Sequence, residues 1–178
     1  MKKALFVFVL SLSLATVAKA QGEGFTFAAG LRLGLPIGDF ADTHSFGVGA
    51  EVQGELGLSS KFSLVANTGF TQFFGKTIDV LGTSVKVDGV GLIPIIVGPR
   101  VYPAEKFFIG FQAGLGILTG GGDSESAFDW QPQIGINSEH FQIALNYNGL
   151  SKDGSTLGHV GLTALFKLGG AGAAHAKK

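Results

Sequence analysis

Phe25-Thr26-Phe27-Ala28-Ala29-Gly30-Leu31-Arg32-Leu33-Gly34-Leu35 decides the fold of this chain. One parity of the stretch reads Phe, Phe, Ala, Leu, Leu, Leu, and the other reads Thr, Ala, Gly, Arg, Gly. Period two is the signature of a β-strand, whose successive side chains point to opposite faces, and the 3.6-residue helical period fits it badly. The alternation recurs from Phe46 to Leu58, from Phe62 to Phe70 and, less cleanly, from Val87 to Tyr102. It returns in Phe107–Leu118, Phe128–Asn137, Phe141–Asn148 and His159–Leu168. The pattern predicts about eight strands and no helical stretch between residues 21 and 168.

The connections alternate in length. Ser59-Ser60-Lys61, Pro103-Ala104-Glu105-Lys106 and Ser138-Glu139-His140 are short, whereas 36–45, 75–86, 119–127 and 149–157 are longer and more polar. Short turns on one rim and long loops on the other belong to transmembrane barrels. The expected fold is a single eight-stranded antiparallel up-and-down transmembrane β-barrel. Both termini then lie on the short-turn rim. Pro94 and Pro132 cannot donate to a strand ladder, so each predicts a bulge or local irregularity.

Composition agrees. The chain has 178 residues, enough for one domain. Lys+Arg and Asp+Glu each total 13, so no net field attracts nucleic acid, and no nucleic-acid partner is expected. Charged residues are 15%, against about 25% in ordinary soluble domains. There are 29 Gly and 16 Phe, which suits strands alternating very small with very large side chains. The absence of Cys removes disulfides and thiolate metal sites.

The first twenty residues read as a targeting segment. Met1-Lys2-Lys3 is a positive n-region, Ala4–Val17 is apolar, and Ala18-Lys19-Ala20 places small residues where a signal peptidase reads them. The apolar run is shorter than the ~20 residues that span a bilayer. The expected organisation is a signal peptide over 1–20, a barrel over 21–168 and a flexible tail over 169–178.

Alternation alone does not say which face points inward. A soluble eight-stranded barrel would put its bulky side chains inside and cover its outside with Gly, Ser, Thr, Asn and Gln. Soluble surfaces are instead about a quarter to a third charged. A narrow lumen wants small and hydrogen-bonding groups, so the Phe/Leu/Val/Ile parity is expected to face lipid. Aromatic placement agrees. Phe25, Phe62, Phe107 and Phe141 lie at the short-turn ends of the odd strands, and Phe46, Phe70, Trp130 and Tyr147 lie toward the other ends. Two belts flanking an aliphatic band form an interfacial girdle.

The predicted lumen carries Arg32, Arg100 and Lys167 against Glu51, Glu55 and Asp129. Arg32 and Glu51 fall toward the long-loop half, Asp129 near that rim, and Glu55, Arg100 and Lys167 toward the short-turn half. A gated or ion-selective path is one reading. An eight-stranded barrel has room only for its own side chains, and buried charges must be paired, so a static plug is preferred.

With these residues in view, the chain resembles the small outer-membrane β-barrel family of the OmpX/OmpA type, especially its PorT-like branch. Leu35-Pro36-Ile37-Gly38-Asp39-Phe40, Leu92–Tyr102 and Gly110-Phe111-Gln112-Ala113-Gly114-Leu115-Gly116 carry the resemblance, which covers nearly all of 21–168. It implies residence in the outer membrane of a Gram-negative cell, contact with outer-membrane lipid and lipopolysaccharide, and delivery by the barrel-insertion machinery. His159–Leu168 looks like the terminal strand such machinery reads, although residues 169–178 follow it.

Catalytic candidates are sparse. A lipid-trimming barrel needs Ser, His and a carboxylate in reach. Asp42, His44 and Ser45, and separately Ser151, Asp153, Ser155 and His159, supply the residue types but match no such motif. The four His are scattered, Asp123 and Glu125 lack calcium-loop spacing, and Gly114-Leu115-Gly116 precedes no helix. The reading is a non-catalytic barrel without cofactor or metal. A lipid-modifying enzyme and a narrow channel are the alternatives. Thr77–Leu81 and Ser84–Val87 keep alternating across Gly82-Thr83, so the third and fourth strands are expected to continue as a protruding hairpin over 75–87. Its edge could take a partner strand, but a solvated extension with no partner is the preferred reading.

Overall fold

The computed structural model describes residues 24–80 and 83–169. The expected signal peptide over 1–20, and the tail beyond Gly169, lie outside the described residues. Eight strands form the barrel: β1 (Phe25–Ile37), β2 (His44–Ser59), β3 (Phe62–Gly75), β6 (Val90–Val101), β7 (Phe107–Gly120), β8 (Asp123–Asn137), β9 (Phe141–Lys152) and β10 (Ser155–Gly169). Each pairs antiparallel with its sequence neighbour, and β1 closes on β10 through pairs running from Phe27↔Gly169 to Ile37↔Gly158. Closure leaves this sheet no unpaired edge. A separate two-stranded sheet, β4 (Thr77–Val80) and β5 (Thr83–Lys86), is inserted between β3 and β6. The expected hairpin is therefore present, detached from the barrel sheet.

The faces fall as the alternation predicts. Phe62, Ile109 and Leu145 are 37%, 44% and 49% exposed, whereas Gln53, Gln112 and Asn146 are 2%, 0% and 4% exposed. Among the described residues, thirty large apolar side chains stand exposed, all but Val85 on barrel strands. Glycine lets the small cylinder bend. A Cβ at Gly30 would strike the Ala164 carbonyl of β10, and one at Gly98 the Phe111 carbonyl of β7. Removing Cβ there allows strongly coiled neighbours to approach.

Two expectations change. The connections expected at 119–127 and 149–157 are not long loops. The strands run on to two-residue turns at Gly121-Gly122, with φ of 62° and 93°, and at Asp153-Gly154, with φ of 49° and 83°. Two successive positive φ values make the tight turn that suits hairpin twist. The polar residues that suggested loops sit on hairpin arms beyond the apolar band, where both faces can be hydrated. The connection 36–45 is also shortened by strand extension, and it contains one helical turn, α1 (Asp39–Thr43), entered through Gly38 at φ 58°. Five residues are too few for helical periodicity to register.

At the prolines the expected irregularity is present, as a local irregularity and not as a bulge. Neither Pro94 nor Pro132 makes a bulge. Pairing of β3 with β6 skips Ile93 and Pro94, and pairing of β8 with β9 skips Gln131 and Pro132. Both ladders resume in the same register, so the irregularity is confined to missing hydrogen bonds. The bulges lie elsewhere. One between His44 and Gly47 on β2 turns both residues inward.

Candidate functional site

The lumen is filled in three layers. At its centre Arg32 of β1 reaches across the barrel. Its Nη1 donates to Glu51 Oε2 (3.0 Å) and its Nη2 to Gln131 Oε1 (2.7 Å), with Asn146 and Asn148 as further acceptors. Asn67 donates to the other Glu51 oxygen at 2.6 Å. Asp129 does not touch Arg32. Asn148 stands between them, accepting from Arg32 and donating to Asp129 Oδ1 at 2.7 Å. An amide, which both accepts and donates, relays the interaction.

Toward the short turns Arg100 of β6 repeats the arrangement. Its Nη1 donates to Glu55 Oε2 (2.7 Å) and Gln142 Oε1 (2.8 Å), and its Nη2 to Gln53 Oε1 (3.0 Å) and Gln133 Oε1 (3.4 Å). The guanidinium lies 4.0 Å from the Phe108 ring centroid. Ser63 and Tyr102 donate their hydroxyls to Glu55 Oε1, and Asn137 donates to Tyr102 Oη at 2.7 Å. Tyr102 lies just past β6, and burial pushes its phenol up to about 12. Both guanidinium groups are thus buried against a carboxylate and several amides, the condition under which a buried charge is tolerable.

Toward the outer rim the lumen turns apolar. Phe40, carried inward by α1, packs with Phe73, Leu92, Ala127 and Leu150. Rings pack tilted or edge-on from His44 through Phe40 and Phe73 to His159, with centroids 4.8, 5.0 and 4.9 Å apart. This cap was not legible in the sequence. Phe73 and Phe74 are adjacent and opposite in facing, so the pair carries no net parity. Phe40 belongs to a segment with no strand signal.

The six charged residues assigned to the lumen divide unequally. The structure brings Arg32 to Glu51, Asp129 to Arg32 through Asn148, and Arg100 to Glu55. Lys167 stands apart: it faces inward at the short-turn end, but its ammonium has no hydrogen-bond or ion-pair partner among the described residues.

The aromatic residues expected to form girdles all sit on the outer face. Phe62, Phe107, Phe141, Phe46 and Phe70 are exposed, and Phe25, Trp130 and Tyr147 are half-buried against neighbours. The Trp130 and Tyr147 rings lie 5.1 Å apart, and Trp130 Nε1 donates to Ser151 at 3.2 Å. Several cover outward glycines on the adjacent strand: Phe25 over Gly54, Phe70 over Gly91, Trp130 over Gly149 and Tyr147 over Gly158. Phe74 is also exposed and packs against Phe46 with ring centroids 5.0 Å apart and planes tilted by 43°, and Phe111 is exposed as well.

Neither candidate catalytic cluster assembles a serine–histidine hydrogen bond among the described residues. Ser45 donates to the Phe74 carbonyl, and His44 Nδ1 pairs with Thr43. Ser151 engages Trp130 and Thr156, while both His159 ring nitrogens are buried without partners. Among the described residues no three His, Asp or Glu side chains gather as a metal site. No helix there is long and apolar enough to cross a membrane, which says nothing of strands.

A closed eight-stranded antiparallel barrel with a polar filled lumen and an apolar exterior defines the structural class. Comparison with solved structures places the fold among small outer-membrane barrels. The crystal structure of Ail, the attachment invasion locus protein of Yersinia pestis, superposes with a TM-score of 0.55 at 15% identity, covering 83% of this chain and all of Ail. Ail in a phospholipid bilayer nanodisc gives 0.57 at 13% identity over 82% of this chain and all of that one. The complex of Ail with the heparin analogue sucrose octasulfate gives 0.51 at 12% identity over 83% and 100%. No family model and no curated protein matches the chain.

Proposed function

We propose that this chain is an integral outer-membrane barrel of a Gram-negative envelope, non-catalytic, with a plugged lumen and a structural or surface-interaction role carried by its outer hairpins. One observation carries the proposal. The exterior is a continuous apolar belt and the interior holds the charges, the reverse of a soluble barrel. Monomeric soluble proteins rarely expose contiguous apolar patches beyond a few hundred Å². On β3 the rise from Phe62 is about 20 Å to Phe70 and about 30 Å to Phe74, taking ~3.3 Å per residue and a tilt of ~40°. These bracket the ~25 Å apolar band of such barrels.

In this reading residues 1–20 direct export, the girdle aromatics sit at the two lipid interfaces, and lipopolysaccharide surrounds the outer belt. The end of β10 is read by the insertion machinery. Membership of the PorT-like branch rests on the stretches around Pro36, Pro94 and Gly114. The six lumen charges act as structure, not as a conduction path. Fractionation of cells expressing the chain tests the location: the protein should remain in the outer-membrane fraction after alkaline carbonate extraction. Release into the soluble fraction would sink the proposal. Planar bilayers should show no conductance.

The surface-interaction role is favoured by the β4–β5 sheet. It pairs Thr77↔Lys86 through Val80↔Thr83 and is joined to no other strand among the described residues, while Thr83, Ser84, Val85 and Lys86 are exposed. An edge of this kind takes a partner strand through backbone hydrogen bonds. Replacing residues 77–86 by a short Gly-Ser turn should abolish partner capture from intact cells while leaving the barrel folded.

A further inference from the structure

The β4–β5 ribbon leaves the long-loop rim between β3 and β6, and neither of its outer edges pairs with another strand among the described residues. We propose that the outer edge of β4 is a docking site for an extended basic segment of a partner protein, in which lysine or arginine alternates with apolar residues. The proposal rests on the surface-interaction reading above and adds the chemistry of the partner.

The ribbon is amphipathic. Its pairs are Thr77↔Lys86, Ile78↔Val85, Asp79↔Ser84 and Val80↔Thr83. Residues directly opposite one another in an antiparallel pair share a face, and successive residues alternate between faces. Ile78 and Val85 therefore lie on one face, and Thr77, Asp79, Ser84 and Lys86 on the other. The two edges differ in charge. A strand added beside β4 sets a side chain directly against Asp79, with Lys86 a strand further away. A strand added beside β5 meets Lys86 instead. Unlike charges opposite one another favour a pair and like charges oppose it, so a basic strand belongs on β4.

The surroundings carry the same sign. α1 flanks the foot of β4, because the Lys76 N–H donates to the Thr43 carbonyl at 2.8 Å and Lys76 Nζ donates to that of Ala41. Asp39 and Asp42 of α1 are exposed and form no ion pair among the described residues. Asp79, Asp88, Glu125 and Asp153 are also exposed along the long-loop rim, which makes six described carboxylates there against the lysines 76, 86 and 152. Two of those three lysines are engaged, Lys76 with Ala41 and Lys152 with Glu125. The short-turn mouth has no such surplus, since Lys61, Lys106 and Lys167 outnumber Glu105 and Glu139 there. A second copy of the chain would bring its own acidic rim against this one, and a polyanion would be repelled. A strand of alternating Lys and Val extends both faces of the ribbon, with Val beside Ile78 and Lys against Asp79.

The test uses the full chain refolded in uncharged detergent micelles and titrated with the acetylated, amidated hexapeptide Lys-Val-Lys-Val-Lys-Val. Saturable backbone amide NMR shifts are expected at residues 77–80, with slowed exchange of β4 amides once the added strand covers their edge. The Glu-Val counterpart should bind at least about tenfold more weakly, and the Thr-Val counterpart at least about threefold, as the charge opposite Asp79 is reversed or removed. Lys-Val-Lys-Pro-Lys-Val keeps the charge but lacks a ladder donor, and should give no amide protection. Asp39→Asn combined with Asp42→Asn should weaken the Lys-Val peptide by about threefold, and added salt should weaken it further. Equal binding of the Lys, Thr and Glu peptides would overturn the basic partner while leaving the ribbon as an interaction edge. Failure of all three to perturb residues 77–80 would overturn that edge as well. Lys-Val shifts without amide protection would reduce the contact to diffuse charge attraction and overturn the docking site. Shifts at 77–80 that grow with protein concentration alone would assign the edge to a second copy and overturn the basic partner. Should the double Asn variant not fold, the peptide series on the unaltered chain decides the matter.

Discussion

Removing the Glu55 side chain alone should harm the barrel more than removing Glu55 and its partner together. In Glu55→Ala, Arg100 keeps the carbonyl oxygens of Gln142, Gln53 and Gln133 at 2.8, 3.0 and 3.4 Å but loses the one carboxylate it bonds among the described residues. A buried charge stripped of its counter-charge costs about 3–5 kcal/mol. Ser63 and Tyr102 also lose their acceptor, a loss partly offset because the adjacent mouth is open to solvent. The three remaining amides place the expected loss near the lower end, about 3 kcal/mol.

In Glu55→Ala with Arg100→Met no unpaired charge remains, and Met keeps the volume beside Phe108. Gln53 and Gln142 stay satisfied because each donates to the other at 3.1 Å; of the three amides Gln133 alone loses its donor, and Ser63 and Tyr102 lack Glu55 as they do in the single variant. The double variant should then lose about 1–2 kcal/mol, a single unmet amide being the main cost. Urea unfolding in lipid vesicles, followed through the chain's one tryptophan, Trp130, measures both. A double variant as unstable as Glu55→Ala, or more so, would refute the pairing and with it the plug's energetic logic.

Three further outcomes are expected. Phe40→Ala should cost about 3 kcal/mol by the same unfolding assay, the usual range for a buried Phe being 3–5. It should still give no conductance, because the Arg32 layer lies beneath the cap; an open pore would refute the layered seal. Gly149→Val should destabilise by about 1–3 kcal/mol through overpacking, since its Cβ meets the Trp130 ring. The same change in a Trp130→Ala background should cost less than half as much. Alkaline titration probes Tyr102. Its phenol is raised to about 12 in the fold, chiefly by burial, against about 10 unfolded. The native state therefore holds this proton more tightly, and its contribution to stability is complete below pH ~10 and fades as pH rises toward 12. In Tyr102→Phe the phenolate absorbance of the native protein should lose its last-titrating step.

The arrangement of strands was legible because a barrel wall imposes period two on every strand, and Phe25–Leu35 shows that period without interruption. Facing was legible too, since lipid accepts Leu31 and Leu33 while only a lumen accepts Arg32 between them. Hairpin ends were not. Ser124-Glu125-Ser126 reads as loop, yet it is strand, because above the apolar band neither face must be hydrophobic and alternation disappears. The α1 turn left no trace, being shorter than two helical periods.

Sequence by itself determined which side chains point inward, and so that Arg32, Glu51, Glu55, Arg100, Asp129 and Lys167 would share one space. Only the tertiary structure decided who meets whom within it. Asn148 joins Arg32 to Asp129, Ser63 and Tyr102 fill Glu55, and Lys167 is left facing the open mouth. Parity is a property of one strand, read along the chain. Partnership depends on register and curvature around the whole cylinder, where residues from β1, β2, β8 and β9 converge although the chain places them up to 116 positions apart.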